Sequence, residues 1–588
     1  MSRERLQALR EELQRQDVDA FLVPRADEYQ NESVPAADER LPWLTGFTGS
    51  AGMAAVGSRE AALFVDGRYT LQAQQQLGDQ PIELMSLSYT AIIEWLCSQL
   101  DAGQCLGYDP RLHTEPGLAL IKKRLAERDI QLQPLEQSPI DAIWDDRPAP
   151  PCGPARPHPF TFTGEHSKEK RQRVARCLTE KRADALWLPN PESCAWLFNI
   201  RGGDIPHLPV ALANGILYRD GSATLYLGEG AVGEALIEHL DKDVSLVVSK
   251  VELFEKIKRH HVNKIWVDPL ISNCWTLQQL RALDIELLLE GDPVTEAKAC
   301  KNAVELAGSQ AAHERDGAAV CEFLSEIPDQ VATGNFDELS AVKLLRSKRE
   351  AREGFQGNSF ETISGYGPNG AIVHYRVSPE SSLPIKSEGL YLCDSGGQYP
   401  DGTTDITRTV ALGEFPHSAK ENFTRVLKGH IAIATLRFPR GTCGEQIDAI
   451  ARRALWDVGL DYAHGTGHGV GSFLSVHEGP QRIGKVTTGV SLQPGMIVSN
   501  EPGFYLTGQY GIRIENLVFV KKSENYPGFL EFKELTLAPI DRNLIDVELL
   551  TKAEREWLNR YHQRVRNVIT PLVSEKTAEW LKLATEAL

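Results

Sequence analysis

Several things this sequence lacks narrow its reading. It holds ten cysteines but no C-x-x-C pair, which excludes zinc ribbons and thioredoxin-type redox motifs. No stretch approaches the ~18 apolar residues that a membrane-spanning helix needs. Excess positive charge is missing, since 63 Lys and Arg stand against 80 Asp and Glu for a formal net charge of -17. That balance disfavours phosphate backbones and anionic membranes, so neither nucleic acid nor membrane is expected as a partner. The opening, Met1-Ser2-Arg3-Glu4-Arg5-Leu6, mixes charges and lacks the apolar core of a secretion signal. With scattered thiols, that predicts a cytoplasmic protein. H-E-x-x-H does not occur, and the glycines of 465–471 have no βαβ unit around them to make a dinucleotide site. Gly479 to Lys485 matches most of a P-loop, but Val486 stands where Ser or Thr would hold Mg²⁺, so the match is chance.

What is present begins with length. A chain of 588 residues divides into several domains, because one core rarely grows past ~250–300 residues. Leu6, Leu9 and Leu13 give an amphipathic helix, followed by the buried-strand pattern Ala20-Phe21-Leu22-Val23-Pro24. Trp43-Leu44-Thr45-Gly46-Phe47 and Leu63-Phe64-Val65-Asp66-Gly67-Arg68-Tyr69 come next, and the Pro-rich stretch 148–159 reads as a linker. The pattern then restarts. Arg182 to Pro189 echoes Asp17 to Pro24, Trp196 to Gly202 echoes the Trp43 stretch, and Asp220-Gly221 echoes Asp66-Gly67. These echoes predict two copies of one α/β unit. Arg68 follows the Asp-Gly in the first copy, where Ser222 stands in the second.

From about Thr295 the chain alternates two helices with strands, twice. Ser418 with Glu421 and Thr442 with Glu445 read as capping boxes opening two of those helices. The pattern predicts two half-domains with helices on one face of a shared, mostly antiparallel sheet. The tail from Asp546 reads as helical, suited to packing or dimer contacts.

Around His464-Gly465-Thr466-Gly467-His468-Gly469-Val470-Gly471 and His477 the acids arrive in pairs. A strand ends on Asp394, turns, and returns through Asp405; another ends on Glu501 and returns through Glu515. Any one histidine or turn carboxylate is ordinarily structural. Two such hairpins are not so easily dismissed, because buried carboxylates side by side repel unless protonated or bridged by cations. Oxygen-rich ligation with one imidazole suits Mn²⁺ or Co²⁺, with Zn²⁺ possible. Four acids and one histidine suffice for two ions ~3.5–4 Å apart sharing a hydroxide.

The motifs Asp394-Ser395-Gly396-Gly397-Gln398-Tyr399, Asp401 to Thr409, His464 to Gly471, Asn500-Glu501-Pro502-Gly503 and Gly511 to Asn516 resemble the Xaa-Pro aminopeptidases (aminopeptidase P). The resemblance extends to Gly46 to Gly52, to Asp66-Gly67-Arg68-Tyr69 and to the helical tail, as in the large three-domain cytosolic form. It implies an α/β and α+β chain of three domains. Two creatinase-like N-terminal domains would occupy 1–150 and 151–296, a pita-bread metallopeptidase domain 297–545, and a helical extension of it 546–588. It implies that Asp394, Asp405, His468, Glu501 and Glu515 bind two Mn²⁺. His374 and His477 would bind substrate and steady the tetrahedral intermediate, His464 would line the pocket, and Arg68 would reach the substrate. Glu501 would also take the proton of the attacking water, a hydroxide bridging the ions being the nucleophile. Substrates would be peptides with proline second, and the protein a homodimer. Prolidase, which cleaves Xaa-Pro dipeptides, is the alternative. A non-catalytic pita-bread binding module, a methionine aminopeptidase and a creatinase fit the ligands or the length less well.

Overall fold

The structure, a computed structural model, describes residues 2–588. Its internal contacts divide it into two units, one running up to His158 and again over Glu165–Val294, the other comprising Pro159–Gly164 and Thr295–Leu588.

The first unit holds two six-stranded sheets. Strands β1 (Ala20–Pro24), β2 (Gly52–Gly57), β3 (Ala61–Val65), β4 (Glu83–Ser86), β5 (Cys105–Tyr108) and β6 (Gln131–Pro134) order as β4-β3-β2-β1-β5-β6. Strand β2 is antiparallel to both neighbours, and the remaining pairs are parallel. Strands β7 (Ala185–Leu188), β8 (Ala213–Tyr218), β9 (Ala223–Leu227), β10 (Val244–Val247), β11 (Lys264–Val267) and β12 (Glu286–Leu289) order as β10-β9-β8-β7-β11-β12. Here β8 is the antiparallel strand and the other pairs are again parallel. Order and direction coincide, so the unit is one α/β fold made twice. Each copy opens on a helix, α1 (Ser2–Arg15) or α2 (Ser167–Lys181). Leu6, Leu9 and Leu13 of α1 are buried, as their spacing requires. The Pro-rich stretch is packed rather than free: Arg156–Pro157 pairs with Ile200–Arg201, and Gly153 N–H donates to Asp204 Oδ1 at 2.7 Å.

One sequence echo is false. Asp66-Gly67 follows β3, whereas Asp220-Gly221 forms the turn between β8 and β9. Counting from the ends of β3 and β9, the counterpart of Asp66 is Gly228 and that of Arg68 is Gly230, not Ser222. Asp-Gly marks turns of many kinds, so it matched two different ones.

In the second unit α3 (Ala303–Ala332) starts on Asn302, whose side chain accepts from Val304 and Glu305 N–H while Glu305 reaches back. Helix α4 (Glu338–Glu350) follows. The next two caps differ from those the sequence suggests. Helix α5 (His417–Ala434) begins at Pro416, whose φ of -58° and extended ψ set the chain entry, and Ser418 makes no cap. Thr442 donates to Pro439 O, a Cys443–Gln446 box caps the 3₁₀ turn Gly444–Gln446, and α6 (Asp448–Trp456) comes after it. Helices α7 (Lys552–Ile569) and α8 (Glu575–Ala584) form the tail.

The strands of this unit form separate antiparallel sheets rather than one shared sheet. Strands β13 (Ile363–Tyr366), β14 (Leu390–Ser395) and β15 (Ile406–Ala411) make a three-stranded sheet centred on β14. A second sheet contains β16 (Arg437–Pro439), β17 (Gly467–Gly469), β18 (Glu478–Ile483) and β19 (Ile497–Asn500). The hairpin β20 (Gly503–Leu506)–β21 (Tyr510–Arg513) intervenes before its last strands, β22 (Asn516–Lys522) and β23 (Phe529–Glu534). That sheet orders as β16-β23-β22-β19-β17-β18. The two sheets meet where Glu515 N–H donates to Thr407 O at 3.2 Å. Phe323, Tyr391, Phe423, Ile431, Trp557 and Val565 share one core cluster, and Cys393 is part of it.

Candidate metal centre

Each acid pair is positioned by strand register. Asn500 pairs with Asn516 across β19 and β22, so Glu501 and Glu515 leave that ladder directly opposite one another. Asp394 pairs with Thr407 across β14 and β15, and Asp405 lies two residues before Thr407. Thr407 then donates its hydroxyl to Glu515 Oε2 at 2.8 Å, tying the first hairpin to the second. His468 sits mid-way along β17, which lies against β19. Glycine on either side is a steric need, since a Cβ on Gly467 would stand 2.0 Å from Ser499 O.

Asp405, His468 and Glu515 each offer a ligand atom, all within 4.8 Å of one another. His468 Nε2 lies 3.4 Å from Asp405 Oδ2 and 3.6 Å from Glu501 Oε1. Its Nδ1 is 2.9 Å from Gly469 O. A carbonyl only accepts, so the proton is on Nδ1 and the Nε2 lone pair faces the acids. Asp394 Oδ1, Asp405 Oδ1 and Glu515 Oε1 are buried and accept no hydrogen bond. Burial first, then repulsion from neighbouring carboxylates, lifts the Asp405 and Glu515 carboxyls well above their ordinary range. Glu501 is raised mainly by burial. Orphaned acceptor oxygens beside a bare imidazole nitrogen are what divalent cations satisfy, so the residues fit the group.

The other candidate residues take different positions. His477 sets its ring edge-to-face on His468, centroids 4.5 Å apart. His464 Nδ1 donates to Gly465 O at 2.7 Å, leaving Nε2 to accept from Tyr505 hydroxyl at 2.9 Å. His374 follows the 3₁₀ turn Gly367–Ala371 and is half-buried. That turn packs backbone to backbone on β21, where a Cβ at Gly511 would fall 1.6 Å from Gly370 O. The next residue, Tyr375, donates to buried Glu338, which also accepts from Tyr366 N, Asn369 and Leu383 N. Arg68 belongs to the N-terminal unit, where Asp66 holds its guanidinium at 2.7 and 3.0 Å.

The sequence assigns Arg513 no role, yet it is ion-paired with one of the acids, Asp394. It donates to Asp394 Oδ2 at 2.6 Å, Tyr505 hydroxyl at 2.6 Å and Thr407 hydroxyl at 3.1 Å. The available signal was alternation, since Arg513 and Glu515 stand two apart on one chain segment.

Comparison with known proteins covers the whole chain. The model for "Metallopeptidase family M24" matches residues 307–522, and that for the C-terminal region of peptidase_M24 matches 528–588. Models for a "Creatinase/Prolidase N-terminal domain" match 5–143 and again 146–305. The "Probable Xaa-Pro aminopeptidase P" of Coprinopsis cinerea is 39% identical, over 99% of this chain and 97% of that protein. The chain belongs to the aminopeptidase P family. "Aminopeptidase P1" of Arabidopsis thaliana is 38% identical over 97% and 96% of the two chains. The X-prolyl aminopeptidase of Caenorhabditis elegans, described as a cytosolic enzyme with a di-nuclear active site, superposes with a TM-score of 0.95. It is 32% identical and both chains are fully covered. The family's two creatinase-like domains and pita-bread domain therefore correspond to the doubled α/β unit and to the unit that carries the acids. A Bacillus anthracis Xaa-Pro dipeptidase, 23% identical with a TM-score of 0.53, covers 64% of this chain and shares the fold alone.

Proposed function

We propose that this chain is a metalloaminopeptidase that hydrolyses the N-terminal Xaa-Pro bond of peptides and releases the first residue. One observation supports the reading: in a chain similar over its full length to aminopeptidases P, Asp405, His468 and Glu515 offer ligand atoms within 4.8 Å of one another, and buried carboxylate oxygens there accept no hydrogen bond. Asp394, Asp405, His468, Glu501 and Glu515 would hold two divalent ions, for which the mostly carboxylate donor set favours Mn²⁺. When bound, such ions supply Lewis acidity and acidify a water toward neutrality.

The chain's own residues supply the rest. Glu501, raised by burial, takes a proton from the attacking water and returns one to the leaving proline nitrogen. His477, beside His468, and His374, on its braced loop, donate toward the developing oxyanion. His464 lines the pocket through Tyr505, and Arg68 contributes to substrate binding. Because an Xaa-Pro bond has no N–H to read, selection rests on the shape of the ring site and on the free amine. Cytoplasmic residence and a homodimer complete the reading; the first is supported by the described location of the C. elegans relative.

The test is hydrolysis of Arg-Pro-Pro and of Arg-Pro by metal-stripped protein, with and without added Mn²⁺. Manganese-dependent release of arginine from the tripeptide is the expected result. Cleavage of the dipeptide alone would replace this reading with prolidase, and no cleavage of either by folded protein would end it.

A further inference from the structure

The C-terminal extension reaches the acid hairpins along two lines of contact. The first runs through Arg408, a buried guanidinium whose hydrogen-bond acceptors are uncharged groups. Its Nη1 donates to Thr407 O at 2.9 Å and Glu515 O at 2.6 Å; its Nε donates to Pro539 O at 2.9 Å. Its Nη2 donates to Asn516 Oδ1 and Ala538 O, both at 2.8 Å, and to Tyr561 hydroxyl of α7 at 2.9 Å. One side chain thus grips the residue whose hydroxyl holds Glu515, the backbone of Glu515 itself, and the extension. Tyr561 hydroxyl in turn donates a hydrogen bond to Ala538 O at 2.8 Å, closing the ring.

The second line starts one helical turn earlier. Trp557 stacks on Tyr561 at 5.4 Å with planes 3° apart, and meets the His430 ring at 6.0 Å. His430 Nδ1 donates to Asn500 O at 3.0 Å, while Asn500 Nδ2 donates to His430 O at 2.9 Å. Asn500 precedes Glu501 and pairs with Asn516. Helix α7 therefore braces both ends of the hairpin carrying Glu501 and Glu515 through their backbone and their neighbours Asn500 and Asn516.

We propose that Tyr561 and Trp557 are positioning residues for the metal centre, and that the C-terminal extension serves to set metal affinity. The inference rests on the metal-centre reading above. Carboxylate pairs that repel one another would spread unless the backbones bearing them were held, and outer partners of this kind typically govern affinity by ~10–100-fold. A tail that only completed the core would leave the ligand spacing, and hence the affinity, alone.

The experiment is calorimetric titration of Mn²⁺ into the metal-stripped full chain, as wild type, Tyr561→Phe and Trp557→Phe, with melting of the metal-free forms alongside. Tyr561→Phe keeps the stacking ring but removes the hydroxyl that Arg408 and Ala538 share. The expected result is Mn²⁺ affinity weakened about 10-fold, with kcat on Arg-Pro-Pro reduced and KM nearly unchanged. A lowered melting temperature with wild-type Mn²⁺ affinity would overturn the proposal, for that is the mark of a merely structural role. If Tyr561→Phe does not fold, Trp557→Phe decides by the same criterion through His430. Absence of Mn²⁺ binding by the wild type itself would bring down the metal-centre reading and this inference with it, whereas binding by wild type and unaltered binding by both variants would remove this inference alone.

Discussion

Arg513 and Asp394 form a buried ion pair, Nη2 to Oδ2 at 2.6 Å, inside a group of carboxylates. The arginine offsets part of the charge that four acids would otherwise leave unbalanced, and its remaining N–H groups fix Tyr505 and Thr407. Arg513→Met removes one partner of a buried pair, a change that costs roughly 3–5 kcal/mol. The expected outcome is a lower melting temperature together with weakened Mn²⁺ binding. Arg513→Lys keeps the charge but not the fork, so it should recover melting temperature more fully than turnover. Equal recovery of both would show that charge alone matters at this position.

Glu501→Gln tests the proton step. The amide keeps the size of the side chain and the contact with Ser499 hydroxyl, 3.2 Å from Glu501 Oε1, but cannot accept a proton. Turnover should fall by about 10²–10⁴-fold, with circular dichroism and melting behaviour of a folded protein. Substantial residual rate would assign the proton to another group.

Three of the buried imidazoles illustrate an acid-side liability of the protein. Burial holds His430 and His562 down to about 3, and His113 down to about 4. Between those values and the ordinary pKa near 6.5 the unfolded chain binds protons that the folded chain refuses. Stability therefore rises with pH through that window and is lost as pH falls below about 6.5. His430→Gln takes one such group away. Its deficit in melting temperature against wild type should shrink as pH is lowered from 7 to 4, and a constant deficit would mean that His430 is not the group being protonated.

Local pattern made a large part of this legible. The leucines of α1, the repeated α/β unit and the two strand-turn-strand acid pairs are all short-range features, set by periodicity and turn chemistry. What stayed hidden depends on partners far along the chain. Arg513 meets Asp394 119 residues away, and Arg408 meets Tyr561 153 residues away; no spacing rule announces either. The misplaced caps of α5 and α6 have a local cause, since Pro416 and the Cys443–Gln446 box outrank the Ser418 and Thr442 signals. Asp220-Gly221 failed as a landmark because a turn signal says that the chain reverses, not which strands it joins.

Glu478, next to His477, is buried between two lysines, with Lys298 Nζ 2.9 Å from Oε1 and Lys301 on Oε2. The lysines hold its carboxyl below the ordinary range despite burial. Two ammonium groups share this one buried carboxylate, so its loss breaks both pairs at once. Glu478→Leu would remove the carboxylate that two ammonium groups share just before α3 and should destabilise the second unit by roughly 3–5 kcal/mol, read as a lower melting temperature. Replacing Lys298 by Met is the milder change, because the Lys301–Glu478 pair then remains. In that variant the strand β18 that begins on Glu478 stays in register, and His477 keeps its place against His468. Lys298→Met should therefore change KM for Arg-Pro-Pro by less than Glu478→Leu does. A reversed order would mean that Lys298 itself, rather than the acid, governs the placing of His477.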